Sequence, residues 1–242
     1  MMSPVAKPKN MTSGCDKMEI TKDFIPEGRR NRPANPMRPR YITMHDTGNS
    51  RNGANARAHV NYLKGDAADS LPVSWHFTVD DENIIQHLPL DENGWHAGDG
   101  GGGTGNRQSI GIEICMNADG DRERAEQKAA ELAAFLIKKV PTLTSFPECM
   151  KQHYDWSGKN CPPVLRAGKY NTWESFLDIV EGELGMEGLH WKQEQAIRML
   201  ESLAEKGLLN DPEQHIQKVK DNETLGDYVW LTLIERMARR LK

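Results

Sequence analysis

The chain has 242 residues, 31 Lys and Arg against 35 Asp and Glu, a formal net charge of -4, and four cysteines spread from Cys15 to Cys161. That length suits one fairly large domain, or a domain with a small appendage, able to bury a real core. The charge balance leaves no electrostatic case for nucleic-acid binding, the scattered cysteines do not form a secreted disulfide framework, and no window approaches the roughly eighteen apolar residues of a membrane span.

Residues 1–40 are rich in Pro, Lys and Arg, end in "EGRRNRPANPMRPR", and are too broken by proline for a long helix. They are expected to form an arm packing on the main domain. The opening "MMSPVAKPKN" lacks the apolar stretch of a secretory signal. The chain is therefore expected to be made in the cytoplasm, with any export by another route.

"YITMHDT" (Tyr41 to Thr47) predicts a strand, and Ala56, Val60 and Leu63 predict a short helix over 55–64. "VSWHFTVDD" alternates, with Val73, Trp75, Phe77 and Val79 on one face and Ser74, His76 and Thr78 on the other. "NIIQHLPL" reads as its hairpin partner. In "SIGIEICMN", Ile110, Ile112, Ile114 and Met116 share a face, which turns Gly111, Glu113 and Cys115 to the opposite one. A carboxylate therefore sits mid-strand.

A helix over 122–140 follows, with an apolar stripe of Ala125, Ala129, Leu132, Ala133, Leu136 and Ile137 closed by Pro141. Strands and helices mixed in this order predict an α/β fold, a mixed central sheet flanked by helices, over 41–184. From 185 to 242 the texture becomes all-α. Ile197, Leu200, Leu203 and Ala204 share a face before Gly207, Asp211 and Pro212 read as N-cap and first helical residue, and Leu225, Val229, Leu233 and Met237 mark a last helix. This module is a candidate for contact with a partner, for dimerisation, or for a stabilising cap.

The segment "KQHYDWSGKNCPP" sets His153 and Cys161 on one polar loop. Imidazole nitrogen and thiolate sulfur are zinc ligands, and a catalytic zinc takes three protein ligands while leaving a fourth position for water. His45, at the end of the first predicted strand in "MHDTGN", is the best third donor. A satisfied loop histidine beside a buried thiol, or a Cys-His nucleophilic pair, remains open on these residues alone.

The ordered set "HDTGNS", "SWHFTVDDENIIQHLP", "WHAGDG", "SIGIEI" and "HYDWSGKNCP" resembles the zinc-dependent N-acetylmuramoyl-L-alanine amidases of the amidase-2 class. That family includes phage endolysins and peptidoglycan recognition proteins. The resemblance covers about Arg38 to Leu184, and the order makes it specific where single pieces are not. It implies a Zn2+ held by His45, His153 and Cys161. It also implies an oxyanion-stabilising role for Lys159, a proton-transfer role for Glu113, and a groove position for His96.

Some amidases of this class carry a catalytic tyrosine where this chain has Trp75. An indole has no such acidic proton, so the acid-base role falls to Glu113, and Trp75 is expected to pack or line the substrate groove. The implied activity is hydrolysis of the bond between N-acetylmuramic acid and L-alanine in bacterial peptidoglycan, in an endolysin released by a holin-type or other non-classical route. The rival reading is a module that recognises peptidoglycan without cutting it. Trp156 and Trp173 offer sugar-stacking faces, with packing as their default role, and Cys115 and Cys149 read as inert small hydrophobes.

Overall fold

The computed structural model describes residues 18–185, 191–209 and 211–221. They fall into two compact units, Met1–Gly185 and Met186–Lys242. In the first unit the strands are β1 (Thr21–Lys22), β2 (Tyr41–Asp46), β3 (Phe77–Val79), β4 (Ile84–Gln86), β5 (Ser109–Ile114) and β6 (Met150–Gln152). Its helices are α1 (Ala56–Lys64), α2 (Asp66–Asp69), α3 (Thr104–Gln108), α4 (Arg122–Lys139), α5 (Tyr154–Ser157), α6 (Pro163–Ala167) and α7 (Trp173–Leu184).

The strands form one mixed sheet in the order β1-β4-β3-β5-β2-β6. The β3–β4 hairpin is antiparallel, and the other pairings are parallel. Central parallel strands are covered on both sides and need apolar residues accordingly. Ile42 and Met44 of β2, Ile110, Ile112 and Ile114 of β5, and Phe77 and Val79 of β3 are all buried. Helix α4 packs on β3 and β5, and α7 packs on α4.

Helix α4 starts where expected because the Asp121 carboxylate accepts the Arg124 N–H, and its last turn carries Lys138 and Lys139. Burial extends beyond the expected stripe to Glu126, Ala130 and Ala134. Helix α7, with Phe176, Leu177 and Val180 buried, covers that second flank. The opposite layer is thinner. There α1, capped by the Asn55 side chain, buries Ala56 and Val60 with Ile85 and Cys115.

The arm crosses the first unit as a strap. The Asp23 and Ile25 N–H groups donate to the Gln86 and His87 carbonyls at 2.9 Å, extending the β1–β4 pairing. Ile25 is buried with Leu63, Trp75 and Leu88. The buried Arg32 guanidinium grips Glu92 through two N–H groups at 2.7 and 2.8 Å and donates to the Ile25 carbonyl.

The expected strand over 73–81 is shorter than its alternation. Only Phe77–Val79 joins the sheet, while Ser74 makes an isolated bridge to Trp95. Freed from the pleat, the Trp75 indole N–H donates to Thr78 Oγ1 at 2.7 Å, three residues on. In the second unit α8 (Trp191–Glu205) and α9 (Pro212–Lys220) pack through Leu200, Leu203, Leu209 and Val219. Gly207 follows α8 with φ 62°, while Asp211, expected as an N-cap, is itself left-handed and its side chain caps nothing. The expected last helix around Leu225–Met237 lies outside the described residues.

Two interior histidines give the fold an acid limit. His76 accepts the Gly111 N–H at Nδ1 and donates from Nε2 to the Glu92 carbonyl, and His87 bonds Thr78 Oγ1. Burial pushes His76 down to about 4 and His87 to about 3. Above pH ~6.5 both rings are neutral folded or unfolded; below it only the unfolded chain takes up the protons, so stability drains away as pH falls toward 4 and 3. Denaturant titrations of chelator-treated protein should lose roughly 3–5 kcal/mol per histidine over that window. A flat profile from pH 6.5 to 4 would contradict this.

Candidate metal centre and active site

Three separate pieces of backbone deliver the expected ligands to one point. His45 sits near the carboxyl end of β2, where the strand leaves the apolar layer. His153 follows β6, which pairs with β2 in parallel, and its N–H donates to the Met44 carbonyl at 3.2 Å. Cys161 returns to the same point because α5 makes a single turn, Gly158 adopts the left-handed conformation at φ 73°, and the Tyr154 N–H donates to the Cys161 carbonyl at 3.0 Å. Glycine is the residue that accepts such a φ without a Cβ clash. An eight-residue separation thereby becomes a short spatial one.

His45 Nδ1 and His153 Nδ1 face each other at 3.0 Å, and Cys161 Sγ lies 3.9 Å from His45 Nδ1. All three ligand atoms lie within 4.8 Å of one another, and all three residues are buried. Donors about 2.0–2.3 Å from a tetrahedral zinc lie about 3.3–3.6 Å apart, so the observed spacing suits a common cation. Burial, and then the neighbouring His96, holds His45 well below the usual imidazole range. Burial and Lys159 take His153 down to about 4. Both rings are thus neutral near pH 7 with lone pairs to offer.

Cys161 is held in the opposite sense. Burial and the Glu113 carboxylate push its thiol up to about 12, against the pull of the Asp46 N–H, which donates to Sγ at 3.5 Å. A coordinated cation is what deprotonates such a thiol. The donor set and its spacing fit a zinc ion.

Glu113 is placed by strand register. On the parallel pair β2–β5 it lies directly beside His45, and on β3 it lies beside Thr78. Alternation puts its side chain on the His45 face of the sheet, away from the isoleucines. Burial and Asp46 push its carboxyl up to about 8, opposed by Lys159 and Arg122. Oε2 has no hydrogen-bond partner among the described residues. Lys159 is exposed on the rim of the same groove.

The sequence reading missed the pair that braces this corner. Asp46 is fully buried at its side chain, bonded to Arg122 through Oδ1 and to the Val164 N–H through Oδ2 at 2.8 Å. Arg122 also donates to Glu126 and to the Ile114 and Cys115 carbonyls. Glu126 in turn accepts from Asn171. This network ties the end of β2 to the start of α4 and to the α6 turn that follows Cys161. The available signal was an arginine at the first position of α4, where a helix dipole disfavours positive charge unless an anion answers it.

The site opens into a groove of about 530 Å³ lined by His96, Glu113, His153, Lys159 and Cys161 at one end. Ala58, His59 and Tyr62 of α1 also line it, as do Val73, Trp75 and Trp95. Trp75 is buried in the wall, as packing and lining together. His96 has little exposure, and its Nδ1 lies 3.0 Å from His45 Nε2. His59, Tyr62 and Trp95 were not singled out in the sequence, although 58, 59 and 62 share one side of a helix. Trp156 and Trp173 take packing roles instead: the first donates to Thr43 Oγ1 and meets Tyr41 edge-on, the second stacks on Phe176.

The family model for N-acetylmuramoyl-L-alanine amidases of the Amidase_2 type matches residues 35–163, which hold all three candidate ligands, Glu113 and Lys159. The chain belongs to the Amidase_2 family. Among its relatives, this amidase-family chain is 51% identical over 160 residues to the N-acetylmuramoyl-L-alanine amidase CwlH of Bacillus subtilis (strain 168), covering 66% of this chain and 60% of that one. It is 50% identical over 167 residues to the N-acetylmuramoyl-L-alanine amidase XlyA of the same organism, covering 68% and 52%. The chain therefore spans little more than half the length of these curated relatives.

The solved catalytic domain of XlyA superposes with a TM-score of 0.61 at 49% identity, covering 67% of this chain and 99% of that domain. A mutant endolysin from Bacillus subtilis superposes equally well, with a TM-score of 0.61 at 48% identity over 68% and 99%. The α/β sheet described above is the architecture of those domains.

Proposed function

We propose that this chain is a zinc-dependent N-acetylmuramoyl-L-alanine amidase that hydrolyses the bond between the lactyl group of N-acetylmuramic acid and L-alanine in bacterial peptidoglycan. The observation that carries this reading is the convergence of His45, His153 and Cys161 beside an in-register glutamate at the end of an open groove. Family membership and relatives that are themselves named amidases support it.

An amide carbonyl is a poor electrophile and amine a poor leaving group. A zinc ion bound by the two imidazoles and the thiolate supplies Lewis acidity and lowers the pKa of water toward about 7. Glu113, on the same sheet face as His45, takes the proton of the attacking water and later delivers it to the leaving nitrogen of L-alanine. Its carboxyl, held high by burial, must be drawn down to act as a base; Lys159 and Arg122 pull in that direction, and a cation held by the neighbouring side chains would add to it. Lys159 on the groove rim balances the charge that develops on the carbonyl oxygen. The apolar and aromatic wall of Val73, Trp75, Trp95 and Tyr62 orients the rest of the muropeptide.

The same reading makes the chain an endolysin that reaches the wall after holin-type or other non-classical release; likeness to a solved endolysin supports it. It gives the second unit a role in wall contact rather than chemistry, because the metal-ligating cluster found among the described residues lies wholly in the first unit.

Mass analysis of digested walls tests the bond assignment. New L-alanine amino termini should appear without new reducing ends, vanish when a chelator is added, and return with zinc. Zinc binding without cleavage would favour a recognition module, and cleavage that survives chelation would favour a thiol nucleophile.

A further inference from the structure

Each ligand histidine turns Nδ1 to the shared point, so each has its Nε2 left over. Both outer nitrogens face the "WHAG" segment. His45 Nε2 lies 3.0 Å from His96 Nδ1. A Cβ on Gly98 would stand 3.2 Å from His153 Nε2.

The direction of the His45–His96 bond is set at its far end. His96 Nε2 lies 3.3 Å from the Ser109 carbonyl oxygen, which can only accept. His96 must therefore carry its hydrogen on Nε2 and a lone pair on Nδ1. His45 must then donate its own Nε2–H, which leaves its Nδ1 bare. One backbone carbonyl, relayed through His96, thus dictates where His45 keeps its lone pair.

The segment that does this is itself clamped. Asn106, only 3% exposed, accepts the N–H groups of both His96 and Ala97 on one oxygen at 2.8 Å each. Its Nδ2 donates to the Gly100 carbonyl at 3.1 Å, and its own N–H goes to Asp99 Oδ1. Two glycines make room for the arrangement. A Cβ at Gly111 would stand 2.8 Å from the His96 ring, and one at Gly98, where φ is +71°, would stand 3.2 Å from His153 Nε2.

We propose that His96, its ring fixed by the Ser109 carbonyl and its backbone by Asn106, is a positioning clamp that locks His45 as the Nε2–H tautomer with Nδ1 turned on the cation. This rests on the metal-centre reading above, and it assigns His96 to His45 rather than to substrate. Outer-shell acceptors of this kind fix ring orientation and raise ligand basicity, and their loss costs about 10- to 100-fold in metal affinity.

Zinc competition titrations and imidazole NMR on the full chain test it. His96→Ala and Asn106→Ala should each raise the zinc Kd by about 10- to 100-fold. His96→Asn, whose Oδ1 can stand where Nδ1 stands, should recover most of that loss. Asn31→Ala removes a buried amide that donates to the Leu63 carbonyl at 2.9 Å and bonds none of the candidate ligands, and should lower thermal stability with the Kd unchanged. Long-range 1H–15N spectra of metal-free wild type should show His45 and His96 protonated at Nε2 and bare at Nδ1. An Nδ1–H signal on either ring, or an unchanged Kd in His96→Ala, would overturn the clamp. Wild type that binds no zinc would sink the metal reading separately, and the tautomer spectra would still judge the clamp.

Discussion

Glu113→Gln should keep its full zinc content and lose amide hydrolysis by about 10²–10⁴-fold, the usual reach of a positioned general acid-base group. The substitution is nearly isosteric, leaves β5 intact, and touches none of the three ligands. What it removes is the ability to accept and return a proton beside His45, to which Glu113 is directly paired across β2 and β5. The neighbouring groups offer no substitute in that position: Asp46 is locked to Arg122 and the Val164 N–H, and Thr78 is committed to Trp75 and His87. Paired metal analysis and turnover on purified walls check this. Activity close to wild type would move the base elsewhere, while lost zinc would mean that the carboxylate serves the metal rather than the proton.

The two buried thiols near the ends of the central strands should respond differently to serine. Cys161→Ser replaces a soft sulfur donor, and its zinc affinity should fall by more than the roughly 100-fold that outer-shell changes cost. Cys115→Ser should leave zinc affinity unchanged. Its sulfur belongs to the α1 layer with Ala56, Val60 and Ile85, 3.9 Å from His59 Nδ1, and burial pushes its thiol far above the usual range. Placing a hydroxyl there should instead cost about 1–3 kcal/mol of stability. Equal metal loss in both variants would overturn the ligand assignment.

Much of this site could be read from strand parity. Alternation in "YITMHD" and "SIGIEI" turns Glu113 away from the isoleucines. What parity cannot supply is register, and it is the parallel pairing of β2 with β5 that makes His45 and Glu113 neighbours. β6 escaped because three residues carry no period, yet it is the strand that delivers His153. Trp75 shows the converse error, since a regular pattern outlasted the strand that seemed to justify it.

The bracing and tautomer contacts were illegible for another reason. Asp46 and Arg122 meet across 76 residues, and most partners of Asp46, Arg122 and Asn106 are backbone N–H and C=O groups that every residue possesses. The glycines at 98 and 111 carry no such signal in the sequence. In the folded chain they are clearances for two imidazole rings.

X-ray absorption at the zinc edge of the loaded protein tests the central claim most directly. One zinc per chain should show two imidazole nitrogens at about 2.0–2.1 Å, one sulfur at about 2.3 Å and one further light atom, with the sulfur lost in Cys161→Ser. A shell without sulfur, or a sulfur that persists in that variant, would contradict it.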